Sequence, residues 1–225
     1  MTQTDDVLRA AELYASGDDH ELLSHASEFW ARHGSTGAGA AELARFARIA
    51  AFRAGAAESD LWQARAISAA CQTGAWRSLA LSLQPHFYKL VGSGELDAAE
   101  QVLDEMASLA SSDHADPPER DLVDGILSER RALLFAERGD WPRAAEWYRT
   151  ALALCPAGDR RELKVKGGLA RSEWLGGGTD SDAVAAFESL ETLAEPFPDV
   201  HEAARENLAA ARVGDRARSV PFDLI

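Results

Sequence analysis

Apolar residues recur along the chain at steps of three and four, as in Leu22, Ala26 and Phe29 or in Ala144, Tyr148 and Ala151. That spacing lines up one face of an α-helix and does not match the alternation of a strand. Ala, Leu, Glu and Arg dominate while Val and Ile are sparse, the composition of chains that favour helix. Breakers punctuate the pattern at Gly17-Asp18, His33 to Gly39, Gly55, Gly74, Gly92 to Gly94, Ser111 to Pro118, Gly139-Asp140, Pro156 to Asp159, Gly176 to Gly178, Pro196 to Pro198 and Gly214. They leave about eleven segments of roughly 12 to 20 residues, the length of ordinary globular helices. The predicted fold is therefore all-α, and the short connections make consecutive helices antiparallel hairpins. The polar stretch Ser111 to Arg120, with Pro117-Pro118, predicts a separation between an N-terminal half (1–112) and a C-terminal half (117–214), followed by a tail (215–225). Asp116 is placed to cap the helix that Pro117 opens.

The segment from Leu127 to Pro156 carries the clearest internal pattern. Ala132 and Phe135 close one helix, Gly139-Asp140-Trp141 turns the chain, and Ala144, Tyr148, Ala151 and Pro156 mark the second helix and its end. Small side chains such as Ala132 and Ala144 let two helices approach, and large ones such as Phe135 and Tyr148 fill the spaces beside them. The offsets recur: Gly94-Glu95-Leu96 leads to Ala99, Leu103, Met106 and Leu109. A third copy runs from Gly168 through Gly176-Gly177-Gly178-Thr179 to Ala183, Phe187 and Leu190, and a weaker fourth from Gly17-Asp18 through Leu22, Ala26 and Phe29.

These motifs resemble the tetratricopeptide repeat family, in which a small residue and an aromatic on the first helix are followed by A-x3-aromatic and a closing Pro on the second. The resemblance is fullest over Gly94 to Leu190. The copies are irregular, since Ser128 and Arg131 stand in first-helix slots that the family fills with large apolar residues, and Ala99, Ala144 and Ala183 are spaced by 45 and 39 residues against about 34 in the family. The resemblance implies an alpha-alpha superhelix, a solenoid of helical hairpins whose first helices line a concave groove that takes a partner peptide or helix. By position it assigns to that groove Gln84 and Tyr88, then Glu129, Arg130 and Leu133, then Val165, Lys166, Leu169 and Glu173. Arg130 and Lys166 would offer basic points to a peptide carboxylate. The Lys and Asn set with which chaperone-binding members clamp a C-terminal carboxylate is not recognisable.

Composition narrows the partner. The formal charge is −14, from 37 acidic and 23 basic residues, so phosphate backbones and anionic lipid surfaces would on average be repelled. Nucleic acid and membrane are not expected partners. No window approaches the length of an apolar membrane span, no basic-then-apolar leader opens the chain, and the lone cysteines Cys71 and Cys155 fit a reducing compartment. These features predict a cytoplasmic protein. His20 and His25 lie on different helix faces, His33, His86, His114 and His201 are scattered, and Glu21 with His25 lacks a third ligand, so no metal is expected. Nor is a cofactor: Gly176 to Gly178 leads into the acidic cap Thr179-Asp180 and reads as a stretched repeat turn rather than a phosphate loop. Acidic pairs such as Glu100 with Asp104 and Asp121 with Asp124 read as solvated helix faces.

Trp141 occupies the apolar slot after its turn and is expected in the core, whereas Trp147 points to another side and is the candidate to face a neighbouring repeat or a partner. The tail, Ser219 to Ile225, carries Phe222 and Leu224, which are expected to dock on this chain or on a second subunit, giving a self-occupied groove or a homo-oligomer. The functional expectation is a protein interaction scaffold and not an enzyme. Two alternatives stand: a helical enzyme or substrate-binding subunit with a closed pocket around His86, Tyr88, Arg130 and Lys166, and a peptide-sensing regulatory domain.

Overall fold

A computed structural model describes residues 2–37, 39–110 and 117–222. Among the described residues there are eleven α-helices and no strand: α1 Gln3–Ser16, α2 Asp19–His33, α3 Ala40–Arg53, α4 Ser59–Thr73, α5 Trp76–Gly92, α6 Leu96–Ala110, α7 Pro117–Glu137, α8 Trp141–Ala153, α9 Arg160–Leu175, α10 Asp180–Leu193 and α11 Pro198–Arg212. The all-α expectation holds, and the helices stop where the breakers stand. Gly17 ends α1 in the left-handed region at φ 77°, which a residue with a Cβ rarely adopts. Starts are set by short polar side chains: Asp18, Asp140, Asp159 and Thr179 each accept a hydrogen bond from the backbone N–H three residues on, which satisfies donors that the helix leaves open. Of the separator predicted over Ser111 to Arg120, residues 111–116 and with them the Asp116 cap lie outside the described residues, and residues 117–120 belong to α7. No helix among the described residues is long and apolar enough to cross a membrane.

The chain forms two compact units, one of residues 2–86 with 108–110 and the other of residues 87–107 with 117–222; the first boundary falls in α5 just past Pro85, a residue that cannot donate to the helical ladder. In the N-terminal unit α1 packs on α2 and α3, α2 on α3, and α3 on α4. Its interior is unusually fine-grained. Ala40, Ala41, Ala44, Ala47, Ala50 and Ala51 of α3 face Ala66, Ala69 and Ala70 of α4 within a core completed by Leu22, Phe29, Leu43 and Trp62. Side chains this small let helix backbones come close and lose little entropy on burial. Asp6 is wholly buried in this unit; its carboxylate faces Arg32 at 3.4 Å and its carbonyl accepts from His25 at 2.8 Å.

In the C-terminal unit each helix from α7 to α11 packs on the next, and α9 also touches α7 and α11. One cluster joins Leu163 and Trp174 of α9 to Phe187 and Leu190 of α10 and to Val200, Ala204 and Leu208 of α11. Another joins Ala132, Tyr148, Ala151 and Val165. The small residues that mark the copies, Ala99, Ala144 and Ala183, are all buried, as are Leu103, Tyr148 and Phe187 at the large positions four residues on. Each large ring removed from water contributes roughly 2 to 3 kcal/mol before entropy is counted. Gly168 shows why one position has no side chain: a Cβ there would fall 2.5 Å from the Tyr148 ring.

Candidate functional site

Within the C-terminal unit two of the charged residues that the pattern placed toward a groove, Glu129 and Arg130, belong to a buried ion cluster with Arg161. Glu129 and Arg130 sit side by side on α7, both buried, and Arg161 arrives from the first turn of α9. Arg130 donates through Nη1 to one Glu129 oxygen at 2.8 Å, and Arg161 donates through Nε to the other at 2.9 Å. The Arg130 guanidinium also lies over the Tyr88 ring, 4.7 Å from its centre. Burial pushes the Glu129 carboxyl up, but the charges and hydrogen bonds of Arg130 and Arg161 outweigh it and hold the carboxyl below the ordinary glutamate range. The terminal nitrogens of Arg161 fill the space that a side chain at Gly125 would need, the nearer lying 3.0 Å from a Cβ placed there. Cys155 is half-buried and unbridged, as is the exposed Cys71; burial pushes the Cys155 thiol up, the opposite of what a nucleophile needs.

The structure distributes the predicted groove residues unevenly. Leu133 and Val165 are 1% and 0% exposed and belong to the interior, not to an open surface, and Glu129 with Arg130 is sealed beneath the surface as an ion pair. Tyr88, Lys166 and Leu169 are half-buried and Glu173 is exposed. Lys166 reaches back one turn to Glu162 at 2.8 Å, and Glu173 accepts from Arg149 at 2.6 Å. Both of the basic points expected to meet a carboxylate therefore already hold one of this chain's own. Gln84 is half-buried on α5 in the N-terminal unit, as His86 is exposed there. Trp141 and Trp147 are both half-buried, each with a guanidinium over its ring, Arg171 at 5.2 Å and Arg131 at 4.9 Å.

The tail is where the structure adds most. After α11 a single 3-10 turn, Arg216–Arg218, precedes the extended stretch that was expected to begin at 215. Phe222 is then buried at 1% exposure, stacked on Phe187 with ring centres 6.3 Å apart. Asn207 holds Val220 by both backbone groups: its amide donates to the Val220 carbonyl at 2.9 Å and its oxygen accepts from the Val220 N–H at 3.1 Å. Docking of Phe222 on this chain is thus observed; Leu224 lies outside the described residues. Sequence reasoning passed over Arg161, Gly167 and Asn207. The signals were present as a Gly167-Gly168 pair inside a helix and as an asparagine in the otherwise apolar stripe of α11.

Among the described residues no group of three or more metal-ligating side chains converges. Comparison with protein-family models and with curated proteins finds no match for this chain.

Proposed function

We propose that this protein is an interaction scaffold of the tetratricopeptide type, in which α7, α9 and α11 act as first helices of successive hairpins and present a face to a partner peptide or helix. The observation that carries this reading is the packing order from α7 to α11: each of these helices contacts the next, and α9 also contacts α7 and α11, two places away on either side. Stacked hairpins require contacts of that kind, and the burial of Ala99, Ala144 and Ala183 at matching offsets supports it. Of the groove residues, Tyr88, Lys166, Leu169 and Glu173 keep exposed surface that a partner could meet, and Glu129 and Arg130 stiffen α7 as a buried ion pair. One base, Lys166, and one acid, Glu173, stand on that surface, each in an ion pair of this chain that a polar peptide could exchange for its own charges.

The carboxyls of Asp5, Glu129, Glu162 and Asp199 are all moved down, away from the range in which a carboxyl acts as a general acid, and this favours binding over acid-base catalysis by these groups. The test is affinity capture from the native cell with the full chain and with the double variant Lys166→Glu, Glu173→Lys. Loss of a captured partner by the variant, with helicity and melting unchanged, is the expected result. Equal recovery of every partner by both chains overturns the assignment.

A further inference from the structure

The tail segment Ser219 to Phe222 is held at three of its four positions. Arg171 donates through Nε to the Ser219 hydroxyl at 3.3 Å. Asn207 clamps the Val220 backbone on both sides. Phe222 enters a pocket formed by Phe187 and by the bare backbone of α9 at Gly167, where a Cβ would stand 2.5 Å from the ring. Pro221 between them fixes φ and keeps the segment from coiling.

Two residues in this pocket weaken the helices that carry them. Gly167 stands inside α9, where glycine lowers helix stability relative to alanine. Asn207 is 0% exposed in α11, where a buried amide is costly unless every polar atom is satisfied. Its own helix supplies one acceptor, the Ala203 carbonyl at 2.8 Å, and the tail supplies the rest. Both choices make sense only around an extended segment. What they recognise is not peculiar to this tail: a backbone N–H and C=O, present in any peptide, and an aromatic ring two residues later. Main-chain bonds supply affinity and a ring pocket supplies selectivity in many peptide sites.

We propose that the pocket between α9, α10 and α11 is a binding site for an extended peptide of the pattern apolar residue, proline, aromatic residue, which the chain's own Val220, Pro221 and Phe222 fill in cis and which a partner segment of the same pattern fills in trans. The site is separate from the Lys166 and Glu173 surface, so either assignment can fail alone.

The experiment uses the full chain carrying Phe222→Ala and a fluorescent synthetic peptide with the sequence of residues 216–225, followed by anisotropy. The vacated pocket is expected to bind the peptide saturably, at least about tenfold more tightly than the natural chain does, because the natural tail competes as an intramolecular ligand at high effective concentration. A peptide with alanine in place of its phenylalanine, or a chain carrying Asn207→Leu as well, is expected to lose about tenfold or more, as for removal of a buried anchor. A folded Phe222→Ala chain that binds no peptide at concentrations up to about 1 mM overturns the proposal and makes the tail a structural latch only. Should Phe222→Ala unfold the C-terminal unit, recovery of helicity on adding the peptide supports the site, and failure to recover at the same concentration overturns it.

Discussion

Glu129 is a carboxylate that reads in the sequence as one more charge on an exposed helix, and in the structure it is the anion that keeps two arginines inside the protein. Taking one partner from a buried pair costs more than the pair itself is worth, because the remaining charge has no water to return to. Glu129→Gln keeps the shape and removes the charge, so urea unfolding of the C-terminal unit is expected to show a loss of about 3 kcal/mol. The pH dependence has a definite sign. The folded carboxyl titrates below its unfolded value, so its contribution is complete above the ordinary glutamate pKa of about 4.3 and disappears as pH falls through the lower folded value. The natural chain should therefore lose stability more steeply below about pH 4.3 than the Gln variant, measured as unfolding free energy against pH. Nothing local in the sequence announces this triad, since Arg161 lies 32 residues beyond Glu129 and only the approach of α9 to α7 brings them together.

Helix placement was legible because each element is bounded by its own chemistry: an aspartate or threonine that caps, a glycine or proline that stops. The pairing of α7 with α8 followed from Ala132, Ala144 and Tyr148 for the same reason, as did the burial of Phe187 from its offset to Ala183. Which charged residues of α7 and α9 would be buried was not legible, because a period of 3.6 identifies an apolar face and says nothing about a second neighbour covering the polar one. That is why Leu133 and Val165, assigned by position to an open groove, lie in the interior, and why Lys166 and Glu173 on the same helix remain accessible. The Gly168 contact gives this scale its test. A methyl group at 168 gains up to about 1 kcal/mol of helix propensity and overpacks against Tyr148 at about 1 to 3 kcal/mol. Gly168→Ala is expected to lower stability by about 1 kcal/mol net. Combining it with Tyr148→Leu should cost less than the two separate losses added, by double-mutant cycle.

For the molecule as a whole the dominant quantity is its charge of −14. Many of its arginines are engaged with carboxylates or lie over rings, among them Arg45, Arg53, Arg130 and Arg131, so little positive field is left to draw a polyanion. A duplex DNA fragment mixed with about 10 µM protein at 0.15 M salt is expected to show no retardation on a native gel. One geometric fact ties the far end of the chain to its middle. Successive residues of α9 lack side chains, and a ring presses on the bare backbone at each: Tyr148 of α8 at one, Phe222 of the tail at the other. Between the two aromatics there is only a single thickness of main chain. Withdrawing Phe222 would free this thin partition to drift toward the emptied side, relaxing the wedge that fixes its distance from α8, so that a tyrosine far from the tail in sequence would sense whether the tail is seated.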